Sequence, residues 1–218
     1  MTATTRIVEV RRSVFKANDL IARELRERFE RAGVRVISLV SSPGSGKTAF
    51  LEKILTMLRA GGSRVAALVG DLATENDAAR LARSGAPVKQ IVTGTICHLD
   101  ASMVRNALES WDLNELDFLF IENVGNLVCP ASYDLGESAR MVLMSVTEGE
   151  DKPLKYPTIF NSADLAIITK KDLAAAVEFD FEVARKSIET VRPGMTIRMV
   201  SAKTGEGMND LVDWLRLN

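Results

Sequence analysis

Lys47 and Thr48 close the run Ser41-Ser42-Pro43-Gly44-Ser45-Gly46-Lys47-Thr48, a spacing of glycines, cation and hydroxyl suited to holding phosphate. Glycines let successive backbone N–H groups turn toward an anion, and a helix N-terminus behind them adds positive potential. In such a loop the lysine reaches the β and γ phosphates and the threonine hydroxyl ligates Mg2+. Gly44, Ser45, Gly46 and Ala49 supply the surrounding backbone. Ser41 stands where this pattern usually opens with glycine, but the Gly-x-Gly-Lys-Thr core is intact. A glycine turn that merely caps a helix is the plain alternative. The β-rich run Val34 to Val40 before it and the helical stretch from Lys47 to Ala60 after it favour the phosphate loop.

Three carboxylates sit at the ends of later segments. Asp71 follows the β-like run Arg64 to Gly70 and is a candidate Mg2+ ligand. Asp77 ends the polar stretch Thr74-Glu75-Asn76-Asp77, placed either to orient an attacking water or simply as an acid in a first helical turn. Glu122 ends the apolar run Phe118 to Ile121, with Gly125 three residues on, which reads as a Walker B strand and second switch. Glutamate replaces the more usual aspartate there, so an outer-shell Mg2+ or water-orienting role and direct ligation are equally open. Lys47, Asp71, Asp77 and Glu122 form the candidate catalytic set, with Thr48, Asp71 and Glu122 for magnesium.

Choice of base requires groups at other strand ends. Thr169-Lys170-Lys171-Asp172 follows the strand-like Leu165 to Ile168 and resembles the Asn-Lys-x-Asp element. In that element the carboxylate accepts from guanine N1 and N2, donors that adenine lacks, and the lysine stem lies along the base. Ser201-Ala202-Lys203 would add a backbone contact to guanine O6. Thr169 replaces an asparagine that normally ties this loop to the phosphate loop, a change that bears on guanine affinity and leaves selectivity intact.

The chain's one histidine and both cysteines are Cys97, His98 and Cys129. Adjacent Cys97 and His98 cannot close a tetrahedral zinc site, and no Cys-x-x-Cys spacing occurs, so buried free cysteines are the ordinary alternative. Placement argues for a ligand role, because Cys129 lies four residues past Gly125 in the loop expected to respond to the γ phosphate.

These residues need a scaffold with strand ends on one edge. Apolar runs near 34–40, 64–70, 118–121, 141–146, 165–169 and 196–200 alternate with helical segments. That pattern predicts an α/β P-loop NTPase with a mostly parallel sheet and helices on both faces. Ile21, Leu25 and Phe29 recur every fourth position, giving an amphipathic helix from Ser13 to Gly33. The expected organisation is therefore residues 1–33 as an N-terminal helix packed on a nucleotide-binding domain of residues 34–218. The stretch between Asn123 and Asn161 is the least regular, suggesting a switch loop plus an extra hairpin or partner surface. Among 218 residues, 46% are hydrophobic and 26% charged, with a formal net charge of -1. That balance gives no pull toward nucleic acid or acidic membranes. No apolar run approaches the roughly 20 residues of a membrane span. Two cysteines and no signal-like N-terminal run predict a cytoplasmic location.

Taken with their order, these segments resemble the HypB family, GTPase accessory proteins for nickel insertion into [NiFe] hydrogenase, within the SIMIBI class of P-loop GTPases. The resemblance runs through the phosphate loop, Gly70-Asp71, Thr74 to Asp77 and Thr93-Gly94. It continues through Cys97 to Ala101, Ile121 to Pro130, Thr147 to Pro157 and Ser201 to Gly205. It implies a GTP-dependent homodimer with GTP/GDP and Mg2+ in each protomer. It also implies nickel or zinc held at the subunit interface by Cys97, His98 and Cys129. Implied partners are a hydrogenase large-subunit precursor and a HypA-like nickel-binding accessory protein, with no nucleic acid or membrane. The segment Asp151 to Tyr156 would help complete the partner's nucleotide site through Lys152 or Lys155, unless it is only a solvated charge cluster. Some family members begin with a Cys-rich motif that binds nickel tightly and others carry a His-rich storage stretch; neither occurs in this sequence, so nickel storage is not expected and delivery would rest on the Cys97, His98 and Cys129 site. Slow intrinsic hydrolysis is expected, since no residue is marked as an arginine finger.

Related readings fit less well. A UreG-like protein would carry its ligands in a Cys-Pro-His run, absent here, and a MeaB-like chaperone would not require the two cysteine pairs Cys97-His98 and Cys129-Pro130. A non-catalytic, nucleotide-dependent metal-sensing module is separated by single-turnover GTP hydrolysis. A small-molecule kinase would leave Thr169 to Asp172 and Ser201 to Lys203 without purpose.

Overall fold

Alternation of side chains with period two decides how the apolar runs assemble. A computed structural model describes residues 3–71 and 76–217, with side chains from residue 14 onward. Seven strands are present among the described residues: β1 (Arg35–Ser41), β2 (Val65–Asp71), β3 (Val88–Val92), β4 (Phe118–Glu122), β5 (Ala139–Ser145), β6 (Leu165–Thr169) and β7 (Thr196–Met199). They form one sheet in the order β3-β2-β4-β1-β5-β6-β7, and every pairing is parallel. Ile37 and Leu39 of β1 join Ala67, Phe120, Leu143 and Ile167 on one face. Val36 joins Leu68, Leu119 and Ile121 on the other, and Val40 joins Val142, Met144 and Ile168 farther along that same face. Burial on both faces explains why the central strands read as unbroken apolar runs.

Helices α2 (Lys47–Ala60) and α8 (Met208–Leu217) cover the first face. The second is covered by α1 (Ala3–Ala32) with α4 (Ala101–Ala107), and then by α6 (Pro157–Ser162) with α7 (Phe181–Val191). Two short helices complete the set, α3 (Asn76–Ala82) and α5 (Lys152–Lys155). From α1, Ala22, Leu25 and Phe29 are at most 2% exposed; burying side chains such as the leucine and phenylalanine stabilises by about 1.5–3 kcal/mol each.

Three features differ from the sequence expectation. Helix α1 starts at Ala3, ten residues before the predicted Ser13; Thr4, Thr5, Ile7, Val8 and Val10 are β-branched residues of low helix propensity, which masks the helix in the sequence. Edge strand β3 carries Lys89 and Gln90 and reads as polar. No hairpin occurs among the described residues of 123–161; β5 is instead a parallel strand beside β1, followed by a short turn and helices α5 and α6. No helix among the described residues is long and apolar enough to cross a membrane.

Strand β1 lies between β4 and β5, with chain connections departing to both sides. The crevice beyond its carboxyl end is where open parallel sheets bind ligands.

Candidate functional site

Gly46 occupies the position before α2 with φ 90°, a left-handed conformation that a side chain would strain. The loop it terminates faces a cavity of about 420 Å3 lined by Pro43 to Ala49, Asp71, Asp77, Arg80, Val124 and Gly125. Thus Gly44, Ser45, Gly46, Lys47, Thr48 and Ala49 meet Asp71 and Asp77 in one concavity. Thr74 and Glu75 lie outside the described residues. Arg80, one turn beyond Asp77 on α3, also lines the cavity and pairs with Glu52 at 2.7 Å. Its i,i+3 spacing from Asp77 could have marked it, but the sequence expectation named no arginine for this site.

Glu122 is 1% exposed at the end of β4. Its Oε1 accepts from Lys47 Nζ at 3.0 Å and Thr48 Oγ1 at 2.7 Å. Its Oε2 is buried without a hydrogen-bond partner. An orphaned carboxylate oxygen beside a threonine hydroxyl suits a hard cation or a water bound to one. At the end of β6, Thr169 Oγ1 donates to the Ser45 carbonyl at 2.5 Å and shares the Met144 carbonyl at 3.3 Å. The shorter hydroxyl side chain thus ties this loop directly to the phosphate loop, as the usual asparagine would. Lys170 adopts φ 58° and its Nζ donates to Gly44 O at 2.8 Å, laying its stem over Gly46. Asp172 is exposed, and its Oδ1 accepts from Ser201 Oγ at 2.6 Å. Lys171 N donates to Val200 O at 3.0 Å, bringing the half-buried Ala202 and exposed Lys203 alongside this loop.

Cys97, His98 and Cys129 converge although 32 residues separate the cysteines. One ligand atom from each lies within 4.8 Å of the others, and the two sulfurs are 2.9 Å apart. Both cysteines are free. Contact with the Cys97 sulfur, then burial, raises the Cys129 thiol above its ordinary pKa, with Asn126 opposing. Burial lowers His98 despite the nearby Asp100, favouring the neutral imidazole that a metal requires. His98 Nδ1 has no hydrogen-bond partner, and the ring stacks on Tyr133 with centroids 3.9 Å apart. Three soft ligands at this separation fit Ni2+ or Zn2+ and leave coordination open to a donor from elsewhere.

The cluster rests on a buried polar frame that the sequence did not reveal. Glu137 Oε1 accepts from Ser38 Oγ at 2.9 Å and from Arg140 Nε and Nη2 at 2.9 and 2.7 Å. Arg140 also donates to the carbonyls of Tyr133 at 2.6 Å and Pro130 at 3.4 Å, fixing the loop beyond Cys129 to β1 and β5. Asn18 of α1 bridges Asp134 O and Ala101 N, both at 2.9 Å. Tyr133, Arg140 and Asn18 belong to no local motif; only the fold brings them together.

The model of the CobW/HypB/UreG nucleotide-binding domain matches residues 35–198. The chain is 47% identical over 213 residues to hydrogenase maturation factor HypB of Azotobacter vinelandii, covering 97% of this chain and 69% of that protein. It is 46% identical over 210 residues to HypB of Escherichia coli strain K12, covering 96% and 72%. Among solved structures, HypB from Helicobacter pylori in complex with nickel superposes with a TM-score of 0.87 at 41% identity, covering 92% of this chain and 94% of that one. With a phosphate loop at the end of β1 and this extent of identity, the chain belongs to the CobW/HypB/UreG family of P-loop nucleotide-binding proteins, among the HypB hydrogenase maturation factors.

Proposed function

We propose that the protein is a GTP-hydrolysing metallochaperone that binds nickel or zinc through Cys97, His98 and Cys129 at a dimer interface and assists nickel insertion into [NiFe] hydrogenase. One observation carries this reading. The segment that ends β4 with Glu122, bonded to Lys47 and Thr48, runs within seven residues into Cys129, whose sulfur meets Cys97. Phosphate chemistry and soft-metal chemistry therefore share one short stretch of backbone. The nickel named for the Helicobacter pylori relative supports the choice of cargo.

A triphosphate in the cavity competes with Glu122 for Lys47 and Thr48, so the partners of Glu122 depend on the nucleotide. Thr48, Asp71 and Glu122 would hold Mg2+, which supplies charge neutralisation between the β and γ phosphates. Asp77 orients the attacking water, while Lys170 and Asp172, with the Ser201-Ala202-Lys203 turn, select guanine. Because Asp172 is exposed, discrimination arises as the base itself covers the carboxylate: guanine satisfies it and adenine strands it. Val128 and Ile96, 64% and 40% exposed, are the immediate neighbours of Cys129 and Cys97. Apolar side chains flanking metal ligands favour burial against a second copy, which also brings the missing donors. The cytoplasm, a hydrogenase large-subunit precursor and a HypA-like nickel donor complete the reading.

The test measures nickel and zinc bound per protomer under reducing conditions, with a non-hydrolysable GTP analogue and with GDP, using Cys97→Ala as control. About one metal per dimer, with an affinity that changes between nucleotides and disappears in the variant, is the expected result. Metal binding indifferent to nucleotide and to Cys97 leaves a P-loop protein without the chaperone role. Hydrolysis without a partner should stay below roughly 1 s⁻¹.

A further inference from the structure

We propose that Asn123 is the positioning residue that passes the state of the nucleotide site to the metal ligands, an inference that rests on the nucleotide-coupled chaperone reading above. Asn123 is 1% exposed and directly follows Glu122. Its backbone N–H donates to Leu39 O at 3.0 Å, extending the β4–β1 pairing one residue beyond the strand. Its side-chain Oδ1 accepts two backbone donors, Leu99 N at 3.0 Å and Val124 N at 2.9 Å.

Those two N–H groups belong to the two segments that carry the ligands. Leu99 is the residue after His98, and Val124 opens the loop that reaches Cys129. One amide oxygen therefore sets the spacing between the Cys97-His98 segment and the Cys129 loop. Leu99 cannot absorb a shift by itself. It is fully buried, and a methyl group on Gly70 of β2 would lie only 2.7–2.9 Å from its side-chain carbons. Packing this tight moves as a unit rather than yielding locally. On the nucleotide side, Glu122 is bonded to Lys47 and Thr48, the two groups a triphosphate recruits. Repositioning Glu122 moves Asn123 through a single peptide bond, and Asn123 delivers the movement to both ligand segments at once.

Asn18 provides the internal contrast. It too joins the two segments, through Ala101 N and Asp134 O, but from α1 rather than from the residue that follows Glu122. Asn18 should hold the site together in every nucleotide state, whereas Asn123 should make the states differ.

The experiment measures Ni2+ affinity of the full chain against a chromophoric chelator, with saturating GDP or a non-hydrolysable GTP analogue, both with Mg2+. Wild type, Asn123→Ala and Asn18→Ala are compared, with thermal melts to confirm folding. Wild type is expected to show a ratio of affinities of at least about 5-fold, the lower end of ordinary allosteric coupling. In Asn123→Ala the ratio should fall to within about 2-fold, whereas Asn18→Ala should weaken binding with both nucleotides and keep the wild-type ratio. Retention of the full ratio by Asn123→Ala overturns the assignment while leaving the chaperone reading intact. A wild-type ratio of one removes the nucleotide coupling itself and the assignment with it. If Asn123→Ala does not fold, Asn123→Ser, whose hydroxyl is too short to span to Leu99 N, gives the same two outcomes. Linkage supplies a second readout, since Ni2+ must change nucleotide affinity by the same factor in wild type and lose that effect in the variant.

Discussion

At Thr169 a hydroxyl does the work expected of a longer amide. Its hydrogen reaches the Ser45 carbonyl inside the phosphate loop, and the residue is 4% exposed, so solvent cannot replace the bond. Thr169→Val keeps the shape and removes the donor, leaving a buried carbonyl unsatisfied at a cost of about 1–3 kcal/mol. If that cost falls mainly on the nucleotide-bound loop, affinity for GDP and GTP should drop roughly 5- to 100-fold together. Preference for guanine over adenine should be unchanged, because Asp172 and its Ser201 partner are untouched. Titration with fluorescent guanine and adenine nucleotides separates these effects, and an altered base preference would show that Thr169 shapes the base site rather than the phosphate loop. The phosphate loop was legible in the sequence because its chemistry is written in consecutive residues. The tie from Thr169 was not legible there, because it depends on how closely β6 approaches β1's loop, which no local pattern records.

Elements explain why other parts of the site stayed hidden. Helix α1 contributes Asn18 and Arg26 to the loop beyond Cys129, contacts that span 116 and 108 residues of sequence. Its apolar spacing announced a buried face but not what that face met. Gly136 marks the closest approach: at φ 80°, a Cβ there would sit 2.8 Å from Ala22 O and 2.9 Å from Leu25 Cβ. Both the backbone conformation and the contact exclude a side chain, and the obstructing atoms belong largely to helix backbone. Gly136→Ala should therefore destabilise by about 2–4 kcal/mol and lower Tm by roughly 5–15 °C. Displacing the loop from α1 should also weaken Ni2+ binding through Tyr133, which stacks on His98. Differential scanning calorimetry and chelator competition on the same variant check both effects; an unchanged Tm would mean that loop and helix can separate freely. Edge strand β3 and the absent hairpin teach the same lesson, since a polar edge strand and a buried parallel strand are distinguished by their neighbours rather than by their residues.

Across the whole molecule, the phosphate loop is joined to a third region besides the loop after β6 and the strand end that leads to Cys129. Glu148 accepts from Ser42 Oγ and from the Ser145 backbone N–H at 2.7 Å, and its carboxylate pairs with Lys152 at 3.1 Å. Lys152 is 17% exposed and also lies over the Tyr156 ring, so it serves its own protomer. Lys155, three residues on, is 61% exposed and pairs with Asp151, itself 55% exposed, at 2.7 Å. Surface pairs of this kind contribute little to stability, leaving the ammonium available at small cost. In the proposed dimer, Lys155 is therefore the lysine placed to reach the partner's nucleotide. Lys155→Ala should weaken dimerisation with a non-hydrolysable GTP analogue by about 10-fold, the loss of one charge-assisted contact, while leaving Tm unchanged. Lys152→Ala should instead lower nucleotide affinity within the protomer, because Glu148 loses the cation that balances its grip on Ser42. Sedimentation equilibrium across nucleotide states, paired with nucleotide titration of the dilute protomer, distinguishes the two variants. If Lys152→Ala abolishes the dimer and Lys155→Ala does not, the roles are reversed, and α5 must turn its buried face outward when GTP binds.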